Sequence, residues 1–471
     1  MSQRLTTAFC LLLPISIAAF PLSIEEAEEI ALSKNPLYLV SEEEVYQSRE
    51  RKWQAVSSWL PKLTYESFYA YTFEPTLVED IASAQLSYKQ NLNMNKFALQ
   101  QPLFSSDLLF DVASANIALD AAHEEQALEE NRLILAIRKQ YYAAVLAALR
   151  VTIEKENVAF FEEAFAIEQK RYEGLDAPAL TLAQSAVASS NALSLYYKSL
   201  QQWESAKNAL VQSLGIDIEV ADDLLLEETD LPVLSIPLLR KKIAKAQETF
   251  STTEVPLVEK IRITEKKDHL SLFSEEEVLA YTEIALSELP ELRLKQLAID
   301  LRESALKKTY GEYLPEISTF VDYQKNAGDP ASRLFSHDNF SWAAGIKLSW
   351  NLFDSFGRER KIREAHSKKV AARLQHRYTV LQTKVAIRDT LFQIEEAIYE
   401  HLHAENGVFL GDFAAEQAKE QLQIGTIRPL DYRNAINERS QAKKLRNASA
   451  YRLIATYYHL EYLLKNGRND R

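Results

Sequence analysis

Two very long stretches of the chain carry apolar residues at intervals of three and four, which is the period of an α-helix. The stretch 107–173 contains neither proline nor glycine and predicts a helix of about 100 Å. The stretch 358–405 is also uninterrupted, and its pattern continues to about residue 424. The spacing is that of a coiled coil, with apolar positions at Ile134, Ile137, Tyr141 and Val145 and at Leu374, Tyr378, Leu381 and Val385.

Each long stretch ends near a glycine, Gly174 or Gly425, and a proline follows within a few residues. A second, shorter helical pattern then begins, because glycine and proline together end a helix and favour a turn. The sequence therefore predicts two antiparallel helical hairpins, over 106–214 and 354–465.

Shorter segments alternate between apolar and polar side chains, which is the period of a β-strand. In 340–352 the alternation is strict, and Trp342 and Trp350 lie on the apolar face, about 26 Å apart along the strand. Tyr69 and Tyr71 share a face of a second such segment. Strands are predicted at about 62–74, 91–104, 316–325 and 340–352. The aromatic spacing suits strands of an outer-membrane barrel with interfacial girdles, although a soluble hairpin with one core face fits the alternation equally well.

The chain contains two copies of one plan. Ala31-Leu32-Ser33 and Pro36 recur about 250 residues later as Ala285-Leu286-Ser287 and Pro290, and Leu60-Pro61 recurs as Leu314-Pro315. In each copy a helix, predicted at 24–59 and at 274–313, precedes two strands and a long hairpin. The predicted organisation is a first repeat at 19–215, a linker at 216–273, a second repeat at 274–466 and a tail at 467–471.

The N-terminus has the pattern of an export signal, predicted at 1–18. Arg4 precedes an apolar run, and Ser16 and Ala18 are small residues suited to a cleavage site; a buried N-terminal helix is the alternative. The single cysteine, Cys10, lies inside this run, so the exported chain would have no disulfide. No later stretch approaches 18 uninterrupted apolar residues, the minimum for a membrane-spanning helix.

Composition and charge exclude several classes of function. The net charge is −13 and no run of five or more basic residues occurs, so nucleic acid is not an expected partner. The sequence contains no phosphate-binding loop and no nucleophile or metalloprotease motif. His401 and His403 are two residues apart and cannot share a helix face. We therefore expect no enzyme activity, no cofactor and no metal site.

The strand count has a geometric consequence. Four strands cannot close a barrel, which needs about eight, and an open sheet edge is not tolerated in a membrane. If the strands cross a membrane, several copies must share one barrel. Three copies would supply about 12 strands, within the known range, and four copies satisfy the same argument.

Ordered motifs along the chain resemble those of the TolC-like outer-membrane efflux protein family. They are Asn35-Pro36, Trp59-Leu60-Pro61-Lys62-Leu63, Gln101-Pro102-Leu103-Phe104-Ser105, Arg171-Tyr172-Glu173-Gly174-Leu175, Trp350-Asn351-Leu352-Phe353-Asp354, and Gly425 with Leu430-Asp431-Tyr432. The resemblance implies a mainly α fold with a small β part. It also implies a homotrimer with a 12-stranded barrel in the outer membrane and an α-helical tunnel in the periplasm.

The resemblance further implies an exit duct of an efflux or type I secretion system. Its partners would be a periplasmic adaptor (membrane fusion) protein, an inner-membrane transporter and outer-membrane lipid. The hairpin tips would face the adaptor through Arg171, Tyr172, Gly174, Leu175, Gly425, Thr426, Ile427 and Arg428. The membrane-interface aromatics would be Trp342, Trp350, Tyr69 and Tyr71.

The tips depart from the family pattern at the pore constriction. Asp431 occupies an acidic position, but Asn434 and Thr181 stand at the others. The resemblance thus implies a ring with one carboxylate per protomer; helix capping is the other role open to Asp431. The alternative function for the whole chain is a periplasmic coiled-coil scaffold without a pore.

Overall fold

The structure is a computed structural model that describes residues 21–80, 85–175, 177–217, 225–251, 272–325, 340–424 and 426–464. The predicted signal peptide 1–18, the tail 467–471 and much of the linker 216–273 lie outside these ranges. The described helices are α1 (Ile24–Lys34), α2 (Pro36–Ser57), α3 (Ser106–Glu173), α4 (Ala179–Leu214), α5 (Pro237–Ser251), α6 (Glu275–Glu288), α7 (Pro290–Gly311), α8 (Gly357–Gln423) and α9 (Pro429–Leu464). The strands are β1 (Lys62–Asp80), β2 (Gln85–Phe104), β3 (Glu316–Lys325) and β4 (Phe340–Ser349).

The prediction of one continuous helix before each strand pair is wrong. Asn35 and Leu289, the residues before Pro36 and Pro290, are extended, with ψ of 119° and 120°. Proline disfavours helical backbone in the residue before it, so each predicted helix is divided in two. Asn35 then begins α2, because its side-chain oxygen accepts hydrogen bonds from the backbone N–H groups of Leu37 and Tyr38.

The four strands form one antiparallel sheet in the order β1-β2-β3-β4. Both β1 and β2 extend into the segment 75–90, beyond the bounds of 62–74 and 91–104 that the alternation pattern predicted. The strand β4 ends at Ser349, so Trp350 lies just past the strand that was predicted to continue to 352. The segment 326–339, between the predicted strands 316–325 and 340–352, lies outside the described residues.

The chain divides into two compact units, and the first comprises residues 1–39, 129–288 and 383–471. Its core is formed by α3, α4, α5, α8 and α9, and the largest fully buried side chains are Ile137, Tyr141, Leu210, Leu214, Leu239, Ile387, Leu391, Ile394, Ile398, Leu453, Ile454 and Leu460. The coiled-coil positions that the sequence predicts in α3 lie in this core. Each buried aliphatic side chain of this size contributes about 1.5–3 kcal/mol.

The second unit comprises residues 40–128 and 289–382 and contains the sheet. Beside the sheet, α3 and α7 are joined by polar contacts: the Ser106 hydroxyl donates to the Gly311 carbonyl at 2.9 Å, and Lys308 pairs with Asp111 at 2.6 Å. In this unit the predicted coiled-coil positions of α8 are exposed, at 60% for Leu374, 61% for Tyr378 and 53% for Leu381. Apolar residues at coiled-coil spacing are therefore buried in α3 but exposed in this part of α8.

Candidate functional site

The sheet has an apolar face crossed by a row of aromatic side chains. Tyr65 lies opposite Phe97, Phe97 opposite Tyr323, and Tyr323 opposite Trp342. Directly opposed residues on neighbouring strands share a face, so the row runs across all four strands. Their exposures are 51%, 37%, 38% and 70%, which means that this face is uncovered in the single chain.

Aliphatic side chains continue the same face below the aromatic row. Leu63 lies opposite Leu99, and Leu99 lies opposite Val321. Ile346 and Leu348 of β4 are among the most exposed apolar residues of the sheet, at 71% and 62%. A contiguous exposed apolar face of this kind marks a surface that another molecule or a membrane covers.

The opposite face of the sheet is mixed, with charged side chains beside Phe68 and Phe320. Lys96 and Asp322 form an ion pair at 3.1 Å between β2 and β3, and Glu66 lies opposite Lys96 in the register of β1 and β2. The sheet is therefore amphipathic, which is the pattern of strands with one face toward lipid and one toward a polar lumen.

The four predicted interface aromatics have different positions. Trp342 belongs to the aromatic row, and Tyr69 is 70% exposed on the apolar face of β1. Trp350 lies beyond β4, where its indole N–H donates to the Tyr313 carbonyl at 3.0 Å. Tyr71 lies in β1, and its side chain is outside the described part. Of this row, only Trp342 was predicted from the sequence as an interface aromatic. Tyr65, Phe97 and Tyr323 were missed, because the register between strands is not readable from one strand's alternation.

The first hairpin tip lies between the end of α3 at Glu173 and the start of α4 at Ala179. The Gly174 N–H donates to the Lys170 carbonyl at 3.0 Å, and Leu175 has a left-handed φ of 64° with its side chain 93% exposed. Tyr172 is also exposed, and Arg171 pairs with Glu168 at 3.0 Å. Thr181 lies in the first turn of α4, and its hydroxyl donates to the Pro178 carbonyl at 2.7 Å.

The second tip joins α8 to α9, and Gly425 lies outside the described residues. Thr426 donates to the Gln421 carbonyl through both its backbone N–H and its hydroxyl. Ile427 packs against a small buried cluster that contains Tyr432 and Ile436. Asn434 is exposed on α9.

Asp431 is paired with Arg428, the residue just before α9. Its carboxylate contacts the Arg428 guanidinium at 3.2 Å and accepts a hydrogen bond from the Arg428 backbone N–H at 3.4 Å. The hydrogen bond from Arg428 lowers the pKa of Asp431. Asp431 therefore has the capping contact that the sequence left open. Its carboxylate also lies beside the positive charge of Arg428, which the sequence pattern did not predict.

A buried polar cluster lies in the first unit, where α3 meets the N-terminal segment and α9. Arg138 pairs with Glu28 and Glu461, both at 2.5 Å, and its guanidinium lies over the ring of Tyr458. Next to it, the Tyr142 hydroxyl donates to Glu228 at 3.3 Å. Burial raises the pKa of Glu228 to about 7.

We expect the stability of this unit to fall as the pH rises toward 7. The folded chain holds the proton of Glu228 more tightly than the unfolded chain, whose carboxyl has a pKa of 4.5. Stabilisation is therefore full below the unfolded pKa and is lost as the pH rises through the folded pKa. Glu228 is half-buried, so solvent screening reduces the loss to about 1 kcal/mol.

Urea unfolding at about pH 5 and about pH 8 measures this loss. Glu228→Gln cannot ionise, so its unfolding free energy should change less between the two pH values than that of the unsubstituted chain. Glu227→Gln, at the exposed neighbouring position, serves as the control and should behave as the unsubstituted chain does. Equal pH dependence in all three would contradict the assignment.

Among the described residues, no cluster of histidine, cysteine or carboxylate side chains has an arrangement that could hold a metal ion. In the same residues, no helix combines the length and the apolar character that crossing a membrane would require.

Comparison with known protein families gives a match within the second half of the chain. The family model described as outer membrane efflux protein matches residues 282–464. The resemblance to TolC-like outer-membrane efflux proteins, predicted from the sequence motifs, is thereby confirmed. No curated protein matches the chain.

Solved outer-membrane channels share the fold over nearly the whole chain. The CmeC outer membrane channel of Campylobacter jejuni aligns with a TM-score of 0.74 at 15% identity, over 94% of this chain and 86% of that one. The outer membrane protein VceC of Vibrio cholerae aligns with a TM-score of 0.69 at 15% identity, over 94% and 95%. The MtrE outer membrane channel of Neisseria gonorrhoeae, in its open state, aligns with a TM-score of 0.64 at 12% identity, over 94% and 88%.

Proposed function

We propose that this chain is one protomer of an exit duct in the outer membrane. The duct receives substrates from an inner-membrane transporter through a periplasmic adaptor protein, in an efflux or type I secretion system. The observation that carries the proposal is the amphipathic sheet, whose exposed apolar face bears the aromatic row of Tyr65, Phe97, Tyr323 and Trp342.

The edges of the sheet support a barrel shared between copies. In the described sheet β1 and β4 each pair on one side only, and their free backbone groups could not remain unpaired in lipid. Pairing β1 of one copy with β4 of the next satisfies both edges. Three copies close a barrel of about 12 strands, with the predicted hairpins 106–214 and 354–465 extending it into the periplasm.

The exposed positions on α8 support the same assembly. Leu374, Tyr378 and Leu381 repeat at coiled-coil spacing. A row of large apolar side chains on a helix is stable in water only when another helix covers it. We assign it to the contact between neighbouring protomers.

The hairpin tips are the proposed docking surface for the adaptor. Tyr172 and Leu175 project apolar side chains into solvent, and the Arg428 side chain is 77% exposed. Ile427 contributes less to such a surface, because it packs inward against the cluster of Tyr432.

Asp431 is the proposed acidic residue of the constriction, with Asn434 and Thr181 as its uncharged neighbours in the family pattern. Arg428 offsets part of the charge of each Asp431. A ring of three such pairs attracts multivalent cations less than three free carboxylates would.

Conductance recording in a planar bilayer tests the duct and the constriction together. We expect discrete conductance steps and weak block by a trivalent cation added to the periplasmic side. Arg428→Ala should tighten the block about tenfold, which corresponds to about 1.4 kcal/mol, because it leaves the carboxylates unpaired. Arg428→Lys keeps the charge and is the control.

Asp431→Ala should remove the block. Equal block in the unsubstituted chain and in Asp431→Ala would show that Asp431 does not line the constriction. The proposal that the chain forms a duct would not be affected by that result. The non-porous scaffold would be favoured instead if the protein did not fractionate with the outer membrane and the purified protein gave no conductance steps.

A further inference from the structure

A cavity of about 260 Å³ lies near the hairpin tips of the first unit, between α3, α4 and the start of α9. Its walls are mostly apolar, with Phe160 and Phe161 from α3 and Tyr432 and Ile436 from α9. An apolar cavity of about 150 Å³ already holds a benzene ring in another protein. The cavity here is therefore large enough for a ligand with a single ring and one polar substituent.

Two polar side chains of the wall have hydrogen-bonding capacity that the described part of the chain does not use. The Glu168 side chain is 3% exposed; its Oε1 accepts from Arg171 at 3.0 Å, while its Oε2 is buried without a hydrogen-bond partner. The Ser185 Oγ, which belongs to α4 and to the same lining, is buried without a partner as well. A buried carboxylate oxygen left without a donor is costly, so a ligand that donates a hydrogen bond there would be strongly favoured.

The charges around the cavity decide which donor fits. Arg428 and Arg433 also line it, and they oppose an organic cation. The Glu168 carboxylate opposes an anion at the position where the free acceptor lies. An uncharged donor avoids both penalties.

We propose that this cavity is a binding site for small uncharged ligands that combine an apolar ring with a single hydrogen-bond donor, of which phenol is the simplest. The ring packs among the aromatic side chains, and the hydroxyl donates to Glu168 Oε2. Ser185 Oγ supplies a second hydrogen bond to the same hydroxyl. The site adjoins the proposed constriction, because Thr181 and Arg428 also line it, but ligand binding is measured directly and does not depend on the proposed duct.

Isothermal titration calorimetry on the full chain in detergent tests the site, with the same titration into detergent alone subtracted. The ligands are phenol, its methyl ether anisole, which lacks the donor, and benzylamine, which is cationic. We expect phenol to bind at least ten times more tightly than anisole or benzylamine. Equal affinities for phenol and anisole, or no binding of phenol, would overturn the proposal.

Two substitutions locate the binding. Ala164→Leu fills the cavity and should weaken phenol at least tenfold, whereas Ala166→Leu, at an exposed position of the same helix, should leave it unchanged. In Glu168→Gln the carbonyl oxygen stays on Arg171 and the amide N–H₂ takes the position of Oε2. That variant should bind acetophenone, a stronger acceptor without a donor, more tightly than phenol; unchanged preferences in it would contradict the role of Glu168.

Discussion

Substitution of Gly215 by alanine is expected to destabilise the first unit by about 3 kcal/mol. Gly215 ends α4 with a left-handed φ of 71°, which costs a residue with a side chain about 1–2 kcal/mol. An added Cβ would lie 2.5 Å from the Lys34 carbonyl oxygen and 2.7 Å from the Asn35 Cα. Forced overpacking of this kind adds about 1–3 kcal/mol.

The backbone that the new Cβ would meet cannot easily move away. Asn35 holds the start of α2, and its side-chain amide donates to the Ser213 carbonyl at 2.7 Å, two residues before Gly215. Relief of the clash would break these contacts. The end of α4 and the junction between α1 and α2 are therefore held in close contact at a position that has room only for glycine.

Urea unfolding measures the loss, and Gly407→Ala is the matched control. Gly407 lies inside α8, and a Cβ there would meet only the Ala442 side chain, at 4.0 Å. Alanine at that helical position should be neutral or stabilising by up to about 1 kcal/mol. If the two variants lose equal stability, the close approach at Gly215 is not what makes glycine necessary.

Placing glutamates at Leu374 and Leu381 is expected to abolish assembly while leaving the chain folded. Both side chains are more than half exposed in the single chain, so charge at these positions costs the isolated fold little. In an assembly the two carboxylates would be buried against an apolar neighbour, and each would cost several kcal/mol. We expect the oligomer to weaken at least a hundredfold, which corresponds to about 2.7 kcal/mol.

Native mass measurement in detergent distinguishes the states, and circular dichroism checks that the helical content is unchanged. Gln375→Glu with Gln382→Glu adds the same two charges at exposed polar positions one residue further along α8. This control should remain oligomeric. A glutamate variant that retains the mass of the unsubstituted oligomer would remove Leu374 and Leu381 from the interface.

The amino-acid sequence by itself determined the types of elements and most of their order. Helical spacing without proline or glycine predicted the long helix α3, and strict alternation at 340–352 predicted β4. Local chemistry is sufficient for such features, because the period of the side chains and the constraint of proline act over a few residues. Pro36 and Pro290 would also have revealed the breaks between α1 and α2 and between α6 and α7, had they been weighed against the continuing apolar pattern.

Only the tertiary structure decided what each apolar face meets. The positions around Ile137 and those around Leu374 have the same spacing, yet Ile137 is fully buried and Leu374 is 60% exposed. Periodicity tells which residues share a face, but the covering of that face depends on segments hundreds of residues away. For the same reason the register that aligns Tyr65 with Trp342, and the cavity that holds the unpaired oxygen of Glu168, arise from packing between distant segments and have no local signature.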